Sequence, residues 1–196
     1  MSPVIAISGT PGTGKTVVAK LLSQELGISF IEMTHLIETQ HLHSGRDPER
    51  GSLIADIGKL QQHLVEQYHN AAERIIIVGH FADEVPETIL EILVVLRCHP
   101  LTLIDRLRTR NWPEEKIVEN IQAEILGECT AQGFARHTHN KIFEVDTTVA
   151  TAEEVAKSIK AIITGKGQQY VAGKISWLQV IDPQILHHIM EKNSLP

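Results

Sequence analysis

Gly9-Thr10-Pro11-Gly12-Thr13-Gly14-Lys15-Thr16 is the stretch of sequence that decides the fold. It matches the pattern G-x-x-x-x-G-K-[ST] in full and lies between an apolar run, Val4 to Ser8, and an amphipathic run that begins at Lys15. The apolar run is typical of a strand buried on both faces, so the motif is predicted to join a strand to a helix. A glycine-rich turn that matched the pattern by chance would not need a buried strand before it and a helix after it. We therefore interpret the stretch as a phosphate-binding loop.

The residue types in this loop suit a polyphosphate ligand. Its glycines allow backbone N–H groups to turn toward phosphate oxygens, and the N-terminus of the following helix adds roughly half a positive charge. Lys15 can reach the β- and γ-phosphates, and the Thr16 hydroxyl is a ligand for Mg²⁺. The sequence therefore predicts that the chain binds a nucleoside triphosphate together with Mg²⁺.

Strand-like and helical patterns alternate along the rest of the chain, and neither a repeat nor a linker interrupts them. Strands that alternate with helices form a parallel sheet covered on both faces, so we expect a three-layer α/β/α fold in one domain, residues 1–196. The predicted strands are Val4–Ser8, Ile28–Ile31, Arg74–Val78, Ile92–Arg97 and Ile142–Asp146. The predicted helices are about Lys15–Leu26, Asp56–Asn70, Leu101–Thr109 and Glu114–Gln132, a helix capped by Thr151 that ends before Gly165, and a short one capped by Asp182.

Composition excludes several classes of protein. The 196 residues are 42% hydrophobic and 21% charged, which is enough apolar side chain for a core. No apolar stretch is long enough to span a membrane, and the N-terminus lacks the pattern of a signal peptide. The net charge of −6 argues against direct nucleic-acid binding. The two cysteines stand in no metal or redox spacing, so we expect reduced thiols and a cytoplasmic protein.

The class of phosphate-loop protein follows from the motifs beside the loop. Ras-type GTPases need a D-x-x-G switch and an [NT]-K-x-D motif, and Asn140-Lys141-Ile142-Phe143 lacks the aspartate of the second. The chain is also too short for a large ATPase motor. We therefore expect a small kinase, in which a lid excludes the competing acceptor water.

Arginines after the fourth predicted strand supply positive charge for such a reaction. Arg106 and Arg110 are four residues apart and share a helix face, from which they could clamp the transferring phosphate. Arg97 ends the strand itself, at the sheet edge where ligands bind in open α/β folds, and we assign it to the acceptor. Arg46 and Arg50 lie in a polar loop, where they either bind the acceptor phosphate or are ordinary solvated charges.

Several segments together resemble the small adenylate kinases of archaea and eukaryotes known as adenylate kinase isoenzyme 6. Besides the phosphate loop, the matching segments are Val94-Val95-Leu96-Arg97, Arg106-Leu107-Arg108-Thr109-Arg110, Lys116-Ile117-Val118-Glu119-Asn120-Ile121-Gln122-Ala123-Glu124-Ile125, Glu144-Val145-Asp146-Thr147-Thr148 and Gly173-Lys174-Ile175-Ser176-Trp177. The resemblance implies the reaction ATP + AMP ⇌ 2 ADP with Mg²⁺. It also implies ATPase activity and a role in maturation of the small ribosomal subunit, through a ribosomal-protein partner.

The resemblance also assigns sites along this chain. It implies an AMP-side segment at about 31–55, a short lid at about 109–119 and a C-terminal extension at 165–196. Within the lid, Arg110 is expected to touch the phosphates in the closed state. His80, which follows the third predicted strand, is expected to position the nucleophile or a metal-bound water. The implied ATP contacts are Gly12, Thr13, Gly14, Lys15, Thr16, Val17 and Arg110.

One departure from the family pattern concerns the metal. Members of the family carry an acidic residue just before the histidine, and this chain has Val78 and Gly79 there. Asp83 and Asp56 are the candidate replacements. The departure keeps two other functions open: a slow ATPase that acts as an assembly factor through a protein partner, and a small kinase for a non-nucleotide alcohol.

Overall fold

The computed structural model describes residues 3–48, 51–191 and 194–195. Seven strands occur in these ranges: β1 (Val4–Gly9), β2 (Ser29–Glu32), β3 (His43–Arg46), β4 (Leu53–Ala55), β5 (Ile75–Val78), β6 (Leu90–Arg97) and β7 (Ile142–Asp146). Five of them form a parallel sheet in the order β2-β5-β1-β6-β7, and β3 and β4 pair as an antiparallel hairpin. The predicted α/β fold with five parallel strands is confirmed.

Helices cover both faces of the sheet. They are α1 (Lys15–Leu26), α2 (Met33–Thr39), α3 (Ile57–Tyr68), α4 (Pro100–Arg108), α5 (Glu114–Leu126), α6 (Glu128–Arg136), α7 (Ala152–Ile163) and α8 (Pro183–Glu191). Because alternate residues of a strand point to opposite faces, Ile5 and Ile7 pack with α1 and α7, whereas Val4 and Ala6 pack with α2, α3 and α6. A third apolar cluster joins α4, α5 and α8 beyond the sheet. No helix among the described residues is both long and apolar enough to cross a membrane.

The helix ends follow the predicted capping chemistry. Gly27 ends α1 in the left-handed conformation, at φ 67°. The Asp56 carboxylate accepts a hydrogen bond from the Lys59 backbone N–H at 3.1 Å, so Asp56 is the N-cap of α3 rather than its first residue. Thr151 and Glu154 form a complete capping box at the start of α7. The Asp182 carboxylate accepts from the Gln184 N–H at 2.8 Å and so caps α8.

The single helix predicted for Glu114–Gln132 is wrong, because the chain forms α5 and α6 with Gly127 between them. Gly127 has φ 68°, a left-handed conformation that ends a helix. The carbonyl of Glu124, in the last turn of α5, accepts from the Gly127 backbone N–H at 3.1 Å and from the Arg97 guanidinium at 3.0 Å. A tertiary contact with a distant strand therefore accompanies the break.

Residues 165–191 and 194–195 are tied to the body of the protein. The backbone of Ala172 donates to Ile142 at 3.1 Å, beside an isolated antiparallel bridge between Phe143 and Val171, so this segment covers the outer edge of β7. Further on, the Gln122 side chain of α5 donates to the carbonyl of Ile189 in α8 at 2.9 Å. The C-terminal extension thus contacts both the sheet and the helix that follows the predicted lid.

Candidate functional site

The phosphate loop leaves β1 and closes on itself before α1. The carbonyl of Thr10 accepts hydrogen bonds from both the hydroxyl and the backbone N–H of Thr13, at 2.8 and 3.3 Å. Gly12 has φ 95°, and a Cβ added there would lie 2.7 Å from the side chain of Leu103 in α4. Only glycine fits this position, which lets the loop pass directly over α4.

Lys15 places its ammonium group inside this loop. Its Nζ donates to the carbonyls of Gly9 at 2.7 Å and Thr10 at 3.1 Å. The pKa of Lys15 is lowered to about 8, chiefly by burial and also by the positive charge of Arg110, against the opposing effects of Cys129 and Glu124. A partly desolvated ammonium that is held by two neutral carbonyls can interact strongly with an anion.

The first turn of α1 continues the site. Gly14 is the N-cap of α1, and Thr16 and Val17 in the first turn are exposed. Thr13, in contrast, is almost completely buried, and its hydroxyl is used within the loop. The N-terminus of α1 thus begins directly after the loop that holds Lys15, and helix N-termini favour anions.

His80 lies beside Lys15 because β5 and β1 are neighbouring strands, with Ile7 paired to Val78. His80 is exposed, yet partial withdrawal of its ring from water lowers the pKa of His80, and the charge of Lys15 lowers it further. The carboxylates of Asp83 and Glu128 act in the opposite direction. The imidazole is thus held mainly in its neutral form near pH 7.

Arg110 lies in the short connection between α4 and α5. It is exposed, and its charge is close enough to Lys15 to lower the lysine pKa. Its guanidinium carbon lies 5.7 Å from the centre of the Trp112 ring, and Lys116 lies 4.1 Å from the same ring. Lys15 is therefore within electrostatic range of both His80 and Arg110, which come from two other segments of the chain.

Arg106 does not share this position. Its guanidinium donates to the Thr147 hydroxyl at 3.2 Å and to the carbonyls of Thr147 and Thr148 at 2.7 and 3.2 Å. The prediction that it clamps a phosphate alongside Arg110 is therefore corrected: Arg106 binds the loop that follows β7. Although the two arginines share one helical period, Arg110 lies beyond the last turn of α4, so they point to different neighbours.

The assignment of Arg97 to the acceptor is wrong. Its side chain is buried between two carboxylates, with Nε 2.8 Å from Glu124 and Nη1 2.5 Å from Glu144. Nη2 donates to the carbonyl of Glu124, so every nitrogen of the guanidinium is engaged within the protein. Arg97 ends β6 as predicted, but its side chain turns into the core.

The remaining acceptor candidates lie in or next to the hairpin of β3 and β4. Arg46 is exposed, donates to the carbonyl of Gly51 at 3.1 Å and approaches Glu38 at 3.4 Å. Arg50 lies outside the described residues. Helix α2 and the hairpin themselves were not predicted, since each is only a few residues long and lacks a clear apolar period.

The carboxylates considered for Mg²⁺ have other partners. Asp83 is buried and lies 3.1 Å from Arg136, and burial raises the pKa of Asp83 above its usual range. Asp56 caps α3 and lies 3.2 Å from Lys59. Thr16, which is exposed in the first turn of α1, remains the metal ligand that the sequence predicts.

Sequence reasoning missed Glu124 as a residue that contacts the loop. Its carboxylate accepts a hydrogen bond from the Thr10 hydroxyl at 2.5 Å. A signal for it was present: Glu124 continues the buried stripe of Ile117 and Ile121 on α5, where a charged side chain needs a partner.

Comparison with known proteins gives relatives over most of the chain. The family model described as AAA domain matches residues 5–127. Three archaeal relatives share the name "Putative adenylate kinase". The protein of Methanosarcina mazei is 36% identical over 91% of this chain and 99% of its own. That of Methanothermobacter thermautotrophicus is 40% identical over 83% and 90%, and that of Archaeoglobus fulgidus is 34% identical over 93% and 96%.

Solved structures share the fold at much lower sequence identity. The shikimate kinase of Bacteroides thetaiotaomicron has a TM-score of 0.55 at 19% identity, with 82% of this chain and 98% of that chain covered. A gluconokinase of Sinorhizobium meliloti has a TM-score of 0.55 at 16% identity, with 86% and 95% covered. The arrangement of sheet and helices around the phosphate loop is common to these proteins.

Proposed function

Because this chain belongs to the family of archaeal adenylate kinase-like proteins, we propose that it is a nucleoside monophosphate kinase that converts ATP and AMP into two molecules of ADP. Membership of this family indicates that the protein is a phosphotransferase. The observation that supports the proposal is the Lys15 ammonium held inside the phosphate loop by the carbonyls of Gly9 and Thr10, with His80 and Arg110 near enough for their electrostatic influence to couple to it. The whole chain would act as one kinase domain.

The phosphate loop would hold the triphosphate of ATP. Gly12, Gly14 and the N-terminus of α1 offer backbone N–H groups, and Lys15 exchanges its two carbonyl partners for β- and γ-phosphate oxygens. Thr13 would contribute through its backbone, since its hydroxyl is bound to Thr10. The exposed first turn around Val17 would complete the contact.

Transfer itself requires positioning and charge stabilisation. An oxygen of the AMP phosphate attacks the γ-phosphorus of ATP, and the bond from that phosphorus to the oxygen that bridges it to the β-phosphate breaks. Arg110 would stabilise the charge on the transferring group when the segment 109–119 closes. The neutral imidazole of His80 would orient the attacking oxygen or a water. Arg106 would act indirectly, by holding residues 147–148.

The residues near the loop fit a magnesium ion that arrives with ATP. The hydroxyl of Thr16 is a hard oxygen ligand, and Mg²⁺ commonly keeps several waters and phosphate oxygens in its shell. When bound, the ion would neutralise charge on the β- and γ-phosphates. With Asp83 paired to Arg136, we infer that Thr16 is the main protein ligand.

The acceptor would bind on the side of residues 31–55, which contain α2 and the hairpin. Arg46 on β3 is the described arginine there, and its exposed ion pair with Glu38 costs little to exchange for a phosphate. Arg50 is proposed for the same role from the sequence alone.

The test is a screen of purified protein with Mg·ATP and the common nucleoside monophosphates, with ADP formation as the readout. We expect rapid ADP formation that depends on AMP. Lys15→Ala should reduce it by orders of magnitude, with an unchanged circular dichroism spectrum. Activity near wild type in this variant, or no transfer to any monophosphate, contradicts the proposal.

One observation favours a second function. Both carboxylates that could replace the acidic residue before His80 are paired elsewhere, which suits slow turnover. The alternative is therefore a slow ATPase that assists maturation of the small ribosomal subunit through a ribosomal-protein partner. ADP formed slowly without AMP, and faster when a small-subunit ribosomal protein is added, would support it.

A further inference from the structure

The carboxylate of Glu124 connects the phosphate loop to the C-terminal extension. Its Oε2 accepts from the Thr10 hydroxyl at 2.5 Å, and its Oε1 accepts from the indole Nε1 of Trp177 at 2.8 Å. Thr10 and Trp177 are 167 positions apart in the sequence, yet they bind the two oxygens of one side chain. The side chain of Glu124 alone thus separates the C-terminal extension from the phosphate loop.

The far side of the carboxylate is anchored to β6. Oε1 also accepts from Arg97 Nε at 2.8 Å and from the backbone N–H of Cys98 at 3.1 Å. Glu124, Arg97 and Thr10 are all almost completely buried. In such a desolvated setting each hydrogen bond is strong, and the loss of one donor lets the carboxylate move toward those that remain.

Trp177 donates its N–H to this network and packs its ring against neighbouring side chains. The ring is buried, lies edge-on to His99 at 5.4 Å between ring centres, and has the Arg97 guanidinium 5.9 Å from its centre. Its neighbour Leu178, on the same short turn, is half exposed. The packing of the ring and the hydrogen bond of its N–H can therefore be separated by substitution.

On the loop side, Thr10 has a double role. Its hydroxyl binds Glu124, while its carbonyl accepts from both Lys15 and Thr13. A shift of the Thr10 side chain therefore moves the carbonyl that orients the Lys15 ammonium.

We propose that Trp177 is a positioning residue for nucleotide binding, which acts through Glu124 to fix Thr10 and thereby the phosphate loop. This inference rests on the proposed function only in taking the loop as the site of ATP. Preorganisation of the loop lowers the cost of ordering it around phosphates. Coupling is reciprocal, so bound nucleotide must in turn stabilise the contact between Trp177 and Glu124.

The first test measures binding of Mg·ADP by calorimetry to Trp177→Phe, which keeps an aromatic ring and removes the N–H. We expect an affinity about tenfold weaker than that of the wild type, the size of one hydrogen bond to a charged group. Leu178→Ala, on the same turn, is the matched control and should bind as the wild type does. Equal affinity in Trp177→Phe and the wild type overturns the proposal.

A double-mutant cycle with Thr10→Val separates positioning from general destabilisation. If Trp177 and Thr10 act through the same carboxylate, the double variant should lose clearly less affinity than the product of the two single losses. Losses that multiply independently would show that Trp177 supports only the fold. Melting temperatures of all variants confirm that binding is measured on folded protein.

A third measurement keeps Trp177 in place. In Trp112→Phe, Trp177 is the remaining tryptophan, and its emission should shift or change in intensity when Mg·ADP binds; unchanged emission at saturation contradicts the coupling. These tests need no acceptor. Nucleotide binding without transfer to any monophosphate would therefore contradict the kinase and leave the role of Trp177 standing.

Discussion

The Nε atom of Arg97 lies 2.8 Å from Oε1 of Glu124, and both side chains are almost completely buried. The same guanidinium lies 2.5 Å from Glu144, so one cation forms ion pairs with two buried carboxylates. Removal of one partner from such a pair leaves uncompensated charge in the interior, which is far more costly than the loss of a surface pair.

We therefore expect Arg97→Met to lower the free energy of unfolding by about 3–5 kcal/mol, measured by urea denaturation. The matched control is Arg74→Met, because Arg74 pairs with Glu91 at 2.7 Å and its side chain is exposed to solvent. That variant should lose at most about 1 kcal/mol. Similar losses in the two variants would contradict the structural role assigned to Arg97.

The pKa of Lys15, lowered to about 8, predicts how ATP use depends on pH. Phosphate binding needs the ammonium form, so kcat/KM for ATP should fall as the pH rises through about 8. Bound phosphate favours the charged form, so kcat should fall only at higher pH. Steady-state kinetics between pH 6 and 10 measure the pH dependence of both kcat/KM and kcat.

The control for this pH profile is Lys15→Arg, whose guanidinium stays charged over the whole range. It should be less active, without the fall near pH 8. The stability of the fold should depend on pH in the opposite direction to the activity. Between pH 8 and 10.5 the unfolded chain binds a proton at Lys15 that the folded chain lacks, so this group makes folding more favourable as the pH rises. A fall near pH 8 that persists in Lys15→Arg would rule out Lys15 as its source.

His80 should influence turnover more than nucleotide affinity. Because its pKa is lowered, the imidazole should be mainly neutral at pH 7, and the acid loss of activity should begin below the pKa of a free histidine. We expect His80→Ala to lower kcat while KM for ATP changes little. His80→Gln, which keeps a neutral hydrogen-bonding group, should recover part of the loss. A variant altered only in melting temperature would make His80 structural.

Arg110 and Arg106 should differ in the kinetic parameter that they affect. Arg110 is exposed and its charge acts on Lys15, so Arg110→Ala should lower kcat about 100-fold or more. Arg106 holds Thr147 and Thr148, so Arg106→Ala should chiefly raise KM for ATP. Arg108→Ala, on the same helix, is the control. Equal losses of kcat in the Arg106 and Arg110 variants would contradict this division.

The sheet could be predicted from the sequence because its signals are local. Apolar runs such as Ile75–Val78 and Ile142–Asp146 predict buried strands wherever they pair, and glycine and capping residues mark the ends of α1 and α7. The hairpin of β3 and β4 gave no such signal, since apolar and polar residues alternate only weakly along its short strands. Gly45 and Gly51 also adopt positive φ, a conformation that is not typical of a regular strand. Its position depends on the helices around it.

By itself, the sequence determined the phosphate loop, the parallel sheet and the place of Lys15, since each depends on residues that are close along the chain. Only the tertiary structure decided what the arginines do. Arg97 turns inward because Glu124 and Glu144, 27 and 47 positions later, reach it in the folded protein. Buried charges must be paired, and the partners that satisfy this requirement can be identified only after the chain has packed.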